Sequence, residues 1–198
     1  MRWNPIEQMQ DVVNKFGAEE RIKRFQSGEL LLVERTDTRV ATMVLNFEQK
    51  VSVTDRRFVT SECFTKSNAK VKFGHIDERL LKLFGKIKED VSAGEIAVHT
   101  LLLDRHDPEI MVAMGPQSRR FVKLGQFYQL IEVQGHGQAG PLLVNGRANI
   151  AYILDENGAP WAVYAFWNPD YGGWYVFVYS VAGPYRWSAG DRVLSQVA

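Results

Sequence analysis

Three apolar, β-prone runs lie close together in the last third of the chain, at residues 148–154, 161–167 and 174–181, and they constrain the fold more than any other feature. They are separated by Asp155-Glu156-Asn157-Gly158 and by Asn168-Pro169-Asp170-Tyr171-Gly172-Gly173. Both separators carry strong turn chemistry, and Asn-Gly is among the best short hairpin signals. Runs joined in this way read as an antiparallel meander.

The alternation within the runs is unusual. Trp174, Val176 and Val178 share one face, while Tyr175, Phe177 and Tyr179 share the other. Trp161, Val163, Ala165 and Trp167 likewise oppose Ala162, Tyr164 and Phe166. A sheet with one wet face alternates apolar with polar residues, so both faces of this one are expected to be covered. The domain's own helices would cover one. A protein partner, a second copy of the chain or a flat stacking ligand would cover the other. Between Tyr152 and Trp187 lie 12 of the chain's 23 aromatic residues. That density makes Trp161, Trp167, Trp174 and Tyr175 the candidate binding residues.

Upstream, Asn4-Pro5 with Glu7 reads as a capped helix start, and Ile6, Met9, Val13 and Phe16 recur at helical spacing. A second short helix is expected over 18–26. Residues 30–35 and 40–45 read as a hairpin, and residues 51–53 and 58–65 as another. The spacing of Leu80, Leu81, Phe84, Ile87 and Val91 predicts one amphipathic helix over 77–91. Residues 94–103 read as a strand, 121–133 fit helix or strand, and 192–194 suggest a short edge strand. The expected fold class is α+β, with N-terminal helices and an amphipathic helix packed on a mostly antiparallel sheet that ends in the aromatic-rich meander. A single domain spanning 1–198 is expected, with a candidate subdomain boundary at 135–147.

No apolar run approaches the roughly 18 to 20 residues that span a bilayer, and no signal-peptide core follows Met1, so a soluble, cytoplasmic protein without membrane contact is expected. Cys63 is the only cysteine, which excludes an internal disulfide and a cysteine-rich zinc site. It falls in an expected strand and reads as a buried thiol. A net charge of +1 argues against strong long-range attraction to nucleic acid. Locally the balance differs. Lys66, Lys70, Lys72, Arg79, Lys82 and Lys86 cluster ahead of and along the predicted amphipathic helix, where Arg79, Lys82 and Lys86 would form one cationic stripe. Such a stripe is a candidate nucleic-acid contact.

Signals for catalysis are sparse. Asp104, His106 and Asp107 form the densest group of acid–base or metal-ligating residues, and a small metal-dependent hydrolase centred on them is the alternative to a non-catalytic interaction module. The competing reading makes Asp107, before Pro108, a helix N-cap and His99 a core histidine sharing a strand face with Ala97, Leu101 and Leu103. Gly135-His136-Gly137-Gln138-Ala139-Gly140 matches G-x-G-x-x-G, but the segment after Gly140 is too short and strand-like for the helix a pyrophosphate needs. A loop is expected there, and Asp155 belongs to a hairpin turn. No P-loop, G-x-S-x-G or H-E-x-x-H motif is present, and neither a cofactor nor a bound metal is expected.

Overall fold

The computed structural model describes residues 44–197. The two expected N-terminal helices, and nearly all of the hairpin expected within 30–45, lie outside the described residues. The elements are β1 (Leu45–Val53), β2 (Arg56–Val59), α1 (Thr60–Cys63), β3 (Phe73–Ile76), α2 (Glu78–Phe84), β4 (Lys88–Val91), β5 (Gly94–Leu101), β6 (Arg105–His106), α3 (Asp107–Ala113), α4 (Gln117–Arg120), α5 (Leu124–Val133), β7 (Asn149–Leu154), β8 (Pro160–Asn168), β9 (Gly173–Ser180), β10 (Arg186–Trp187) and β11 (Arg192–Gln196).

Seven strands form one sheet in the order β1-β5-β11-β7-β8-β9-β3. Neighbours are antiparallel except β11 with β7 and β3 with β9, which are parallel. The meander forms as its turns predict: β7 pairs with β8 from Asn149↔Ala165 to Leu154↔Pro160, and β8 with β9 from Trp161↔Ser180 to Asn168↔Gly173. Asp155 closes the first turn, its Oδ1 accepting from the amides of Asn157 (2.8 Å) and Ala159 (2.9 Å).

Helices cover one face of this sheet. Leu124, Phe127, Tyr128, Leu130 and Ile131 of α5, with Leu80 and Phe84 of α2, pack on Ile96, Val98, Val163, Trp174, Val176, Val178 and Leu194. The segment 121–133 resolves as helix from Leu124 onward, where Gln126 reaches back to accept from the Lys123 amide at 2.9 Å. A Cβ at Gly125 would collide with Phe58 and Val91, so only glycine lets α5 sit this close to β2 and β4. On the opposite face a second cluster gathers Leu101, Ile110, Met114, Ile150, Tyr152, Ala162, Tyr164, Trp187 and Val193.

Four expectations are corrected. The helix expected over 77–91 stops at Phe84, with Gly85 at its C-cap, and Lys88–Val91 is instead a strand paired to β2. Leu80, Phe84 and Val91 are all buried as the helical stripe requires, but that spacing also fits a helix, a turn and a strand in succession. The strand expected over 58–65 gives way to α1 at Thr60, and β1 and β2 form no hairpin because each finds a different partner, β5 and β4. Residues 192–194 belong to β11, which lies in the middle of the sheet rather than at its edge. Val193 and Leu194 are both fully buried on opposite faces, as a central strand demands. Asp107 is the first residue of α3 and not its cap, which is His106.

Candidate functional site

The face of β8, β9 and β3 away from the helices carries a continuous ladder of aromatic rings. Tyr175 lies 5.4 Å from Phe166, Phe166 lies 6.1 Å from Phe177, and Phe177 lies 5.4 Å from Tyr164, with each pair within 23° of parallel. Tyr164 continues to Tyr179 at 5.2 Å, Tyr179 to Tyr185 at 4.7 Å and Tyr185 to Trp187 at 4.6 Å. Tyr171 extends the other end at 6.4 Å from Tyr175. Strand alternation alone puts Tyr175, Phe177 and Tyr179 here, opposite Trp174, Val176 and Val178. Phe166, Tyr175, Phe177 and Tyr179 remain half-buried, and Tyr171 and Tyr185 are exposed.

His75 joins the ladder through a bulge. In β3, Phe73 faces Trp174 and His75 faces Tyr175, so Gly74 is an extra residue that turns His75 onto the aromatic face. Its ring lies 4.8 Å from Phe177 and 6.0 Å from Tyr175.

One cation borders the ladder. Arg79 projects from α2 with its guanidinium 5.4 Å above the Tyr179 ring. Asp77 caps α2 and accepts from the Arg79 amide (2.9 Å), Nε (3.0 Å) and Nη2 (2.6 Å). Burial would raise the Asp77 carboxyl, yet these bonds and the Val178 amide hold it below the ordinary value.

The ladder is anchored from below. Trp187 is buried and donates from Nε1 to Asp107 Oδ1 at 2.7 Å, and Tyr152 OH donates to the same oxygen at 2.8 Å. Asp107 is itself fully buried, and its Oδ2 has no hydrogen-bond partner. Burial pushes this carboxyl above its ordinary value, against the pull of the two donors and of His106.

The sequence candidates are thus redistributed. Tyr175 lies on the aromatic face, whereas Trp161, Trp167 and Trp174 lie on the helix-covered face. Trp174 is fully buried, with Nε1 donating to Gln134 O at 2.8 Å, so it has no surface to offer a partner. Trp161 is spent on the Asp155 turn, donating to Oδ2 at 3.1 Å.

The residues of the expected cationic stripe are divided between α2 and the segments beside it. Lys86 follows the end of α2, Arg79 is bound to Asp77, Lys82 pairs with Glu78 at 3.6 Å, and Lys70 with Glu132 at 3.4 Å. Lys66 and Lys72 are exposed and precede β3 or open onto it.

Asp104, His106 and Asp107 turn to different partners. Asp104 Oδ1 accepts from the Ala189 amide at 2.8 Å, His106 Nδ1 meets Tyr185 O at 2.9 Å, and Asp107 serves Trp187 and Tyr152. Among the described residues no group of three or more His, Cys, Asp or Glu side chains could hold a metal ion. Cys63 is half-buried in α1 rather than in a strand, and burial raises its thiol. Residues 135–140 form a loop held by buried Gln134, which bonds Gln138 O (2.7 Å), Leu142 O (3.0 Å) and the Leu142 amide (2.7 Å). The next element is β7, so no helix stands where a pyrophosphate would need one. No helix among the described residues is long and apolar enough to cross a membrane.

Comparison with protein-family models, with curated proteins and with solved structures gave no match. Phe166, Phe177, Tyr179, Tyr185 and His75 are binding candidates beyond those picked out in the sequence. Alternation gives the first three. Nothing local marks His75, because its orientation depends on a bulge.

Proposed function

We propose that this chain is an interaction module whose aromatic face packs against another polypeptide surface, in the simplest case a second copy of itself. The observation that carries this reading is the partly exposed ladder from Tyr171 through Phe177 to Tyr185. Tyrosine, tryptophan and arginine dominate the energetics of protein interfaces because they bury large area while keeping a polar tip. Here seven aromatic rings and Arg79 are gathered on one sheet surface, and the tyrosine hydroxyls supply the polar tips. A single patch pairing with itself about a two-fold axis is also the commonest way for a chain to oligomerise.

Nucleic acid is the weaker occupant. Three of the six basic candidates, Arg79, Lys82 and Lys70, already hold a carboxylate that a phosphate would have to displace. A hydrolase centred on Asp104, His106 and Asp107 lacks support for the same kind of reason, since each side chain is engaged elsewhere.

Sedimentation velocity from low micromolar concentration upward tests the reading. Twice the chain mass in the wild type, reverting to one in Phe177→Lys with an unchanged melting temperature, is the expected result. A monomer throughout would end the self-association version. Salt-sensitive binding of a labelled single strand, lost in Tyr175→Ala, would replace the polypeptide with nucleic acid.

A further inference from the structure

At the other end of the same sheet, over β1, β5 and β11, a cleft of about 250 Å³ opens between the strands and the segment from Met114 to Arg119. Its floor holds a serine and a histidine in contact: His99 Nε2 lies 2.9 Å from Ser195 Oγ. The two come from adjacent antiparallel strands, where Ser195 pairs with Ala97 and Val193 with His99, so they are diagonal neighbours on one face. Phe47 packs edge-on to the imidazole at 5.9 Å. A bulge at Glu48 brings Phe47 and Lys50 onto the same side, opposite His99 and Ala97, although three positions separate them. Lys50 and Arg119 line the cleft, with Met114 and Val197 supplying apolar wall.

We propose that Ser195 and His99 are a nucleophile and general-base pair, in a cleft that takes small esters bearing an anionic group. The pair meets the first geometric requirement for an activated hydroxyl, a base within hydrogen-bond reach. Burial lowers the His99 imidazole, which keeps it neutral and able to accept a proton at neutral pH. Arg119 at the rim fits a carboxylate on the substrate, while Lys50 is paired with Glu95 at 3.4 Å, and the cleft volume limits that substrate to a few small groups.

The chemistry balances without a cofactor. Ser195 Oγ forms a bond to the acyl carbon as its proton passes to His99 Nε2. The ester C–O bond then breaks, and the leaving alkoxide takes that proton as an alcohol. Water repeats the sequence: its oxygen bonds the acyl carbon, its proton goes to Nε2, and the Oγ–C bond breaks as Oγ recovers the proton. This site is independent of the aromatic face, which lies on β8, β9 and β3.

The test is covalent labelling of the full chain with a small alkyl fluorophosphonate, read by intact and peptide mass. Attack by Ser195 expels fluoride and leaves one phosphonyl adduct. The expected result is a single adduct on Ser195, absent in Ser195→Ala and slowed at least tenfold in His99→Gln, which retains a hydrogen-bonding amide. Hydrolysis of p-nitrophenyl hemisuccinate should exceed that of p-nitrophenyl acetate, with the preference lost in Arg119→Ala. An unlabelled Ser195 in folded wild-type protein overturns the proposal, as does labelling indifferent to His99→Gln.

Discussion

His75 lies against Phe177 with ring centroids 4.8 Å apart and planes 29° apart, and it reaches that position only because Gly74 adds a residue to β3. The aromatic face is therefore completed by a backbone irregularity and not by strand alternation alone. A Cβ at position 74 would run into the Tyr175 ring. Gly74→Ala should displace Tyr175 and cost about 1 to 3 kcal/mol, the usual range for overpacking. Chemical denaturation measures the loss, and self-association should weaken in parallel.

Asp107 separates two kinds of loss. Asp107→Ala leaves Tyr152 OH and Trp187 Nε1 buried without an acceptor and should cost about 2 to 4 kcal/mol. Asp107→Asn keeps an acceptor and removes a buried charge, so it should cost much less at neutral pH. The sign of the pH dependence follows from burial, which raises this carboxyl above 3.8. Its stabilising contribution is full below that value and is lost as pH rises through the raised one. Wild type should gain on Asp107→Asn as the solution is acidified, in urea midpoints taken from neutral to acid pH.

Glu132 should behave in the opposite sense. Burial pushes its carboxyl up, but hydrogen bonds and charge from Arg56, together with Lys70, hold it below 4.5. Its contribution is present above that value and lost as pH falls through the depressed one. Glu132→Gln should lose about 1 to 2 kcal/mol at neutral pH, after allowing for partial exposure, and should flatten the acid limb of the stability curve.

Gln134 holds the glycine-rich loop through three hydrogen bonds to Gln138 and Leu142. Gln134→Ala would leave the Leu142 amide and carbonyl unpaired in the interior, a loss of about 2 to 4 kcal/mol. Limited proteolysis should then cut within 135–142 well before the rest of the chain unfolds.

The meander is legible in the sequence because its determinants are local. Alternation along 161–167 and 174–179 assigns every ring to a face, and Asn157-Gly158 closes the hairpin between β7 and β8. Residues 77–91 show where local reading stops. Leu80, Phe84 and Val91 keep helical spacing, but Lys88–Val91 has strand hydrogen bonds to offer and β2 is there to take them. That preference is tertiary, and no window along the chain contains it. The same limit governs the sites. Ser195 and His99 are 96 residues apart and meet only once β11 lies beside β5. His75 carries no periodic signal, since a bulge changes which way it points. Asp104, His106 and Asp107 lie within four residues of one another in sequence, yet each side chain bonds a different partner, Ala189, Tyr185 and Trp187, in and around β10.

β11 follows every other strand of the described residues, yet it sits between β5 and β7 and is the sole link joining β1-β5 to β7-β8-β9-β3. On a ribosome the sheet could not close until that strand had emerged, however long the earlier strands had waited. Closing the sheet is slowed by the long loops that β11 must close. A chain clipped before Arg192 would be no slightly shortened version of this protein: it would hold two half-sheets with raw inner edges, each free to pair with the same edge of another molecule.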